Sequence, residues 1–183
     1  MQNSEPLERR LSALAVAVVD NDRQRVSTFR QSAARIGVRD VAQHGSAKAA
    51  LAAIMMSGPP DVLFVRFDDG SADAIALCRA IRNRTGFPFP FLPLVALCAT
   101  ATRASVQAAR DAGVDEFLAC PFAPSTLATR LAAVLDNRRG FVDVPGFFGP
   151  DRRRGAMARS LGAERRGGPA TLIDPATQQT YMG

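Results

Sequence analysis

Lysine, histidine and tryptophan are almost missing from this 183-residue chain: Lys48 is its one lysine, His44 its one histidine, and it has no tryptophan. Its three cysteines, Cys78, Cys98 and Cys120, are widely spaced and include no CxxC pair. A zinc site therefore has almost no ligands to draw on, and a hydrolase triad or a histidine general base is equally poorly supplied. An odd number of distant cysteines fits reduced thiols in the cytoplasm better than a disulfide framework. Long apolar runs are lacking as well. The stretch Leu11 to Val19 is too short to span a bilayer and has Glu5, Glu8 and Asp20 around it, so neither a membrane span nor a secretory leader is expected. No period of 20 to 50 residues recurs, which excludes a solenoid. His44 lies in a polar QHGS segment and reads as a loop residue.

What the chain has in quantity is arginine, which supplies 22 of the 23 basic residues and a net charge of +6. The charge is unevenly placed. Residues 13 to 136 carry 13 basic and 11 acidic side chains, whereas residues 137 to 183 carry 8 arginines against 4 acids. Residues 1 to 12 cancel and form a short lead. The last segment is rich in Gly and Pro and has no sustained apolar periodicity, so an extended, flexible tail is expected there.

Between lead and tail, short apolar runs alternate with helical patterns. Ala13 to Val19 is a continuous apolar run ending in Asp20-Asn21-Asp22, as suits a buried parallel strand leading into a polar loop. Val26, Phe29, Ala33 and Ile36 then fall on one helical face that ends at Gly37. Further strands are predicted at Val38 to Gln43, Val62 to Phe67, Leu94 to Ala99 and Val114 to Ala119. Helices between and after them are marked by Leu51, Ile54 and Met55, by Ile75, Cys78 and Ile81, by Val106 and Ala109, and by Leu127, Leu131 and Val134. Five strands alternating with five helices imply parallel crossovers and a doubly wound α/β sheet covered on both faces. Ligands of such folds sit beyond the carboxyl ends of the strands, which directs attention to Asp20, Asn21, Arg66, Asp68, Cys98 and Cys120.

The segments VVDND, PDVLFVRF, PLVALCA and DEFLACPF, with their intervals, resemble a bacterial response-regulator receiver domain of the CheY-like kind over residues 13 to 136. The resemblance implies a flavodoxin-like strand order 2-1-3-4-5. Such receivers hold magnesium with acids at the first strand, phosphorylate an aspartate on the third, and read the phosphoryl group with a hydroxyl residue and a lysine. This chain keeps Asp20 but has Asn21 at the second acid, Arg66 at the phosphoacceptor, Cys98 at the hydroxyl position and Cys120 at the lysine. An arginine cannot be phosphorylated by the carboxylate route, and it puts a permanent positive charge where the metal would bind. The resemblance thus implies a degenerate, non-enzymatic receiver that takes no magnesium or other cofactor. A shifted acceptor at Asp68 is the alternative that keeps phosphotransfer.

A buried guanidinium is costly unless paired, so Arg66 is expected to pair with Asp20, shared with Asp22 or Asp68. Such a pair either locks the domain in one conformation or only repairs a lost site. Cys98 and Cys120 are expected at neighbouring strand ends, as redox-active thiols beside a cation or as small core fillers. The peptide before Pro121 is a candidate cis bond by resemblance. Phe117 matches the family's switch-like aromatic, and the face of the fourth and fifth helices and strands is the expected protein-docking or homodimer surface.

The arginine-rich segment, with Arg138, Arg139, Arg152, Arg153 and Arg154, resembles extensions of CheY-like effectors that bind cyclic di-GMP. Guanidinium forks suit its phosphates and guanine faces, although runs of Arg also attract polyanions without specificity. No helix-turn-helix or aromatic-interleaved basic sheet is present, so sequence-specific nucleic-acid binding is not expected.

Overall fold

The computed structural model describes residues 7–68, 72–136, 138–152, 171–178 and 180–182. Five parallel strands, β1 (Ala15–Val19), β2 (Asp40–His44), β3 (Val62–Arg66), β4 (Leu94–Cys98) and β5 (Glu116–Ala119), form a sheet in the order β2-β1-β3-β4-β5. The doubly wound order 2-1-3-4-5 is therefore present. β3 and β4 are buried almost throughout, which explains their unbroken apolar sequences; only Arg66, the last residue of β3, is partly exposed.

Among the described residues six helices accompany the sheet, one more than the sequence pattern predicts: α1 (Leu7–Ala13), α2 (Arg23–Arg35), α3 (Ala47–Ser57), α4 (Ala72–Ile81), α5 (Arg103–Asp111) and α6 (Pro124–Asp136). The lead over residues 1 to 12 needs correction, because part of it is α1, which places Leu11 in the core and Arg10 against Asp136 of α6. The run beginning at Ala13 is accordingly helix end followed by strand; a heptapeptide offers too few turns for its period to be read. His44 ends β2 rather than lying in a loop.

Side-chain alternation divides the core into two layers. Ala17, Val19, Leu63, Val65, Leu94 and Ala96 face the layer that contains Ile54, Leu77, Ile81 and Ala109 from α3, α4 and α5. Val16, Val18, Val62, Phe64, Val95 and Leu97 face Val26, Phe29, Leu127 and Leu131 from α2 and α6. All five strands run parallel, and this is what brings their carboxyl ends to one edge of the domain.

Of the segment after residue 136, for which an extended, flexible tail is expected, residues 153–170 lie outside the described residues, and the described part carries strands. Within the described residues, β6 (Phe141–Val144), β7 (Phe147–Pro150), β8 (Thr171–Ile173) and β9 (Thr180–Met182) form an antiparallel sheet in the order β7-β6-β8-β9. Phe141 and Ile173 are fully buried. Phe141 and Phe148 meet Phe91, from the loop before β4, with ring centroids 5.1 and 5.4 Å away. The apolar residues that achieve this are few and separated by turns, and for that reason they show no helical or long-strand period.

Arg82 joins this region to the parallel domain. Its buried guanidinium donates to the carbonyls of Gly113, Pro90 and Leu92 at 2.9, 2.6 and 2.8 Å and to Asp115 Oδ2 at 2.7 Å, and it lies 5.0 Å from the centre of the Phe141 ring. Gly113 has φ +84°, and a Cβ there would stand 2.8 Å from Arg82 Cγ. Backbone conformation and the passing arginine both select glycine at this position.

Candidate functional site

The carboxyl ends of β1, β3, β4 and β5 bring together the positions singled out in the sequence. Asp20 directly follows β1, with its N–H donating to His44 O at 3.1 Å. Asp22 caps α2, accepting from the N–H groups of Gln24 and Arg25 at 2.8 and 3.0 Å. The cap fixes the first turn of α2, and that turn carries Arg25 back over Asp20.

Arg25 forks onto the buried Asp20 carboxylate, with Nε to Oδ2 at 2.8 Å and Nη2 to Oδ1 at 2.6 Å. Nη1 also lies 3.0 Å from Asp22 Oδ2. Burial acts to raise the Asp20 pKa, but the Arg25 hydrogen bonds, the Asp22 N–H and the charges of Arg25 and Arg66 outweigh it and hold the carboxyl below its ordinary value. The hydrogen bond to Asp20 likewise raises the Arg25 pKa above that of a free guanidinium.

Arg66 is not the partner of Asp20. Its Nε donates to both oxygens of Asp68 at 2.8 Å, so the expected pairing is corrected in its main term and kept in its Asp68 term. Arg25, which sequence reasoning passed over, takes Asp20 instead. The signal was available: an aspartate cap at residue 22 puts the third helical residue beside the preceding loop, whereas Arg66 leaves the strand in the direction of the next loop.

Cys98 is buried at the end of β4, and the Cys120 N–H donates to its carbonyl at 2.7 Å. Their strand ends are neighbours, as expected. The side chains nevertheless pack differently, Cys98 in the layer of α3, α4 and α5 and Cys120 against the layer of α2 and α6. Burial raises the Cys120 pKa, with the charge and hydrogen bond of Arg66 only partly opposing it. The Cys120–Pro121 peptide is cis. Phe117 is partly buried in β5 against the layer of α3, α4 and α5.

Asn21 stays beside this cluster, with Oδ1 3.5 Å from Arg25 Nη2. For a divalent cation the fit is poor: both Asp20 oxygens are engaged by a guanidinium, and a second guanidinium stands at the end of β3.

The described C-terminal arginines, Arg138, Arg139 and Arg152, lie away from these strand ends. Arg138 donates to Phe91 O and Arg152 to Val114 O, while Arg139 Nη2 is 3.5 Å from Glu116. Burial, with Arg110 and Arg139 nearby, pushes the Arg152 pKa down to about 10. Arg153 and Arg154 lie outside the described residues.

Comparison with known proteins separates what is general from what is particular here. No model of a known protein family matches the chain. Response regulator MprA of Mycobacterium ulcerans is 31% identical over 123 residues, 67% of this chain and 50% of that protein. MprA of Mycobacterium tuberculosis is likewise 31% identical over 123 residues, 67% of this chain and 51% of that protein. A response-regulator structure from Chloroflexus aurantiacus superposes with TM-score 0.59 at 26% identity, covering 67% of this chain and 97% of that one. The parallel five-stranded domain is a receiver domain, similar to those of these response regulators.

The receiver fold is also that of Vibrio cholerae chemotaxis protein CheY4, with TM-score 0.57 at 22% identity over 67% of this chain and 100% of that one. The chain spans about half the length of the curated relatives it matches. Among the described residues, no helix of this receiver is long and apolar enough to cross a membrane.

Proposed function

We propose that this receiver is a non-enzymatic signalling adaptor of bacterial two-component or chemotaxis-type signalling, working in the cytoplasm by binding a protein partner and accepting no phosphoryl group. The observation that carries this reading is Arg66 at the end of β3, in the phosphoacceptor position, ion-paired with Asp68. Phosphoryl transfer needs positive charge gathered around an acceptor carboxylate and its metal. Here Asp20 is neutralised by Arg25, the end of β3 carries a guanidinium, and thiols stand at the hydroxyl and lysine positions. The same arrangement is the reason for proposing no magnesium.

The binding face carried over from the family is that of α5, α6, β4 and β5, the fourth and fifth helices and strands of the sequence pattern. A protein partner or a second copy of the chain would use it. Phosphotransfer through Asp68 is disfavoured, since that carboxylate is already held by Arg66. Cyclic di-GMP binding has no favouring observation at Arg138, Arg139 or Arg152, each of which is engaged within the protein.

Incubation with acetyl phosphate and magnesium followed by intact-mass measurement tests the central point. An unchanged mass is expected; a phosphoryl adduct, at Asp68 or elsewhere, would overturn the reading. Crosslinking of the purified chain, alone and with candidate kinases or receptors, tests the face. Loss of crosslinks in Arg103→Glu and Gln107→Glu, both on exposed positions of α5, is the outcome expected.

A further inference from the structure

The charge of the parallel domain is not spread evenly over its surface. Residues 23 to 39 contain five arginines, Arg23, Arg25, Arg30, Arg35 and Arg39, and no acid, whereas the rest of residues 13 to 136 carries 8 basic side chains against 11 acidic ones. α2 spans most of this segment. It buries Val26, Phe29 and Ala33, which turns the remainder outward: Arg23, Arg30 and Arg35 are exposed, with Gln24, Ser27, Thr28 and Gln31 exposed between them. Arg39, exposed just ahead of β2, extends the patch beyond the end of the helix. Arg25 is taken by Asp20 and Asp22. The other four form no ion pair with any described carboxylate. Arg30 Nε donates to Val41 O at 3.2 Å, a neutral acceptor that leaves the charge of the guanidinium uncompensated.

Four like charges on one face repel one another, and an anionic partner relieves that repulsion. The groups around them decide the kind of anion. Among the exposed residues of α2 the one apolar side chain is the methyl group of Ala34. A stable protein interface is centred on aromatic or aliphatic anchors, and a lipid surface takes up an apolar face; the exposed side of α2 offers neither. Guanidinium, hydroxyl and carboxamide groups together are the set that grips phosphate oxygens along a nucleic-acid backbone. Arg23 and Arg35 stand about 18 Å apart along the helix axis, a length over which a duplex carries roughly ten phosphate charges. We propose that the outer face of α2, with Arg23, Arg30, Arg35 and Arg39, binds the phosphate backbone of a nucleic-acid duplex without reading its sequence. Val26, Phe29 and Ala33 keep α2 seated in the core, so the helix lies along the backbone and does not enter a groove. The contact would hold the receiver on nucleic acid without selecting a site. It goes beyond the adaptor reading and does not depend on it, because none of the four arginines takes part in the cluster at the strand ends.

Fluorescence anisotropy of a labelled 20-base-pair DNA duplex, titrated with the full chain, tests the face, and an RNA duplex of the same length tells which nucleic acid is preferred. Saturable binding is expected at roughly 10–100 μM near 0.1 M salt, equal for two unrelated sequences. The logarithm of the binding constant should fall with the logarithm of salt concentration with a slope of about −3 to −4, the release expected for four neutralised phosphates. Changing Arg23, Arg30, Arg35 and Arg39 together to Gln should weaken binding at least tenfold and make the slope shallower by about 1 for each arginine removed. All four are exposed, so circular dichroism and the melting temperature should show the fold intact. Lys48→Gln with Arg79→Gln, at exposed positions of α3 and α4 in the other layer, should leave binding unchanged. No saturable binding to either duplex, or binding that keeps its affinity and slope in the fourfold variant, would overturn the proposal. So would a tenfold preference between the two sequences, since backbone contacts carry none. Displacement of the duplex by poly-glutamate, at equal charge concentration, as effective as displacement by unlabelled duplex would overturn the choice of phosphate over an acidic protein.

Discussion

Asp20 and Arg25 form a two-pronged ion pair across the junction of β1 and α2, with the carboxylate buried and the guanidinium half open to water. The pair is a clasp between the strand and its following helix. Arg66, the more conspicuous residue in the sequence, is bonded two residues along its own chain. The difference has energetic consequences.

Arg25→Ala should destabilise the protein more than Arg66→Ala. The first leaves a buried carboxylate without its main partner; the second leaves Asp68, which is 46% exposed and able to hydrate. Because Arg25 is itself partly solvated, the loss should be about 1–2 kcal/mol, below the full cost of breaking a buried pair, against under about 1 kcal/mol for Arg66→Ala. Urea denaturation of both variants measures this, and the reverse ranking would mean that Asp20 depends on Arg66.

The same clasp predicts an acid limb in stability. Asp20 has a folded pKa below its ordinary carboxylate value, so its contribution is complete above that value and disappears as pH falls through the lowered one. Asp20→Asn should consequently be less stable than the parent at about pH 6, with the gap closing toward about pH 3. A gap independent of pH would show that the Asp20 charge contributes nothing to folding.

Arg82→Ala should be the most damaging single arginine substitution. It strands three carbonyls and the Asp115 carboxylate that Arg82 now satisfies, and Asp115 also receives the Leu94 N–H at 2.8 Å. A loss of about 3–5 kcal/mol is expected. Arg82→Lys should recover only part of it, since an ammonium lacks the planar fork that reaches four acceptors. Thermal melts of the two variants decide; full recovery by lysine would reduce the role of Arg82 to charge alone.

Phe141→Ala should lower stability by about 3–5 kcal/mol, the range for emptying a buried aromatic position. It should also raise hydrogen exchange at the amides of β6 and of the loop carrying Phe91, the residues that share its ring contacts. Protection unchanged at Phe91 and its neighbours would mean that the C-terminal sheet does not support the parallel domain.

Five parallel strands, their order of appearance and the edge at which Asp20, Arg66, Cys98 and Cys120 gather were legible in the sequence. Continuous apolar runs separated by 3.6-periodic segments leave few arrangements that bury both faces of every strand. The residues standing at the family's phosphorylation positions were legible only through the resemblance, which places Asn21, Arg66, Cys98 and Cys120 there. Pairing partners were not. Whether Asp20 meets Arg25 or Arg66 depends on the direction in which each side chain leaves its element and on the Asp22 cap, which set distances of a few ångströms. The C-terminal sheet was hidden because Phe141, Phe148 and Ile173 acquire meaning only against one another and Phe91. The arginine excess includes Arg82, Arg138 and Arg152, which are spent on backbone carbonyls inside the protein. Sequence by itself determined the architecture of the parallel domain, because periodicity is a property of the chain. Tertiary structure alone decided which arginines face water and which serve as internal donors, because burial and hydrogen bonding belong to segments brought together from far apart.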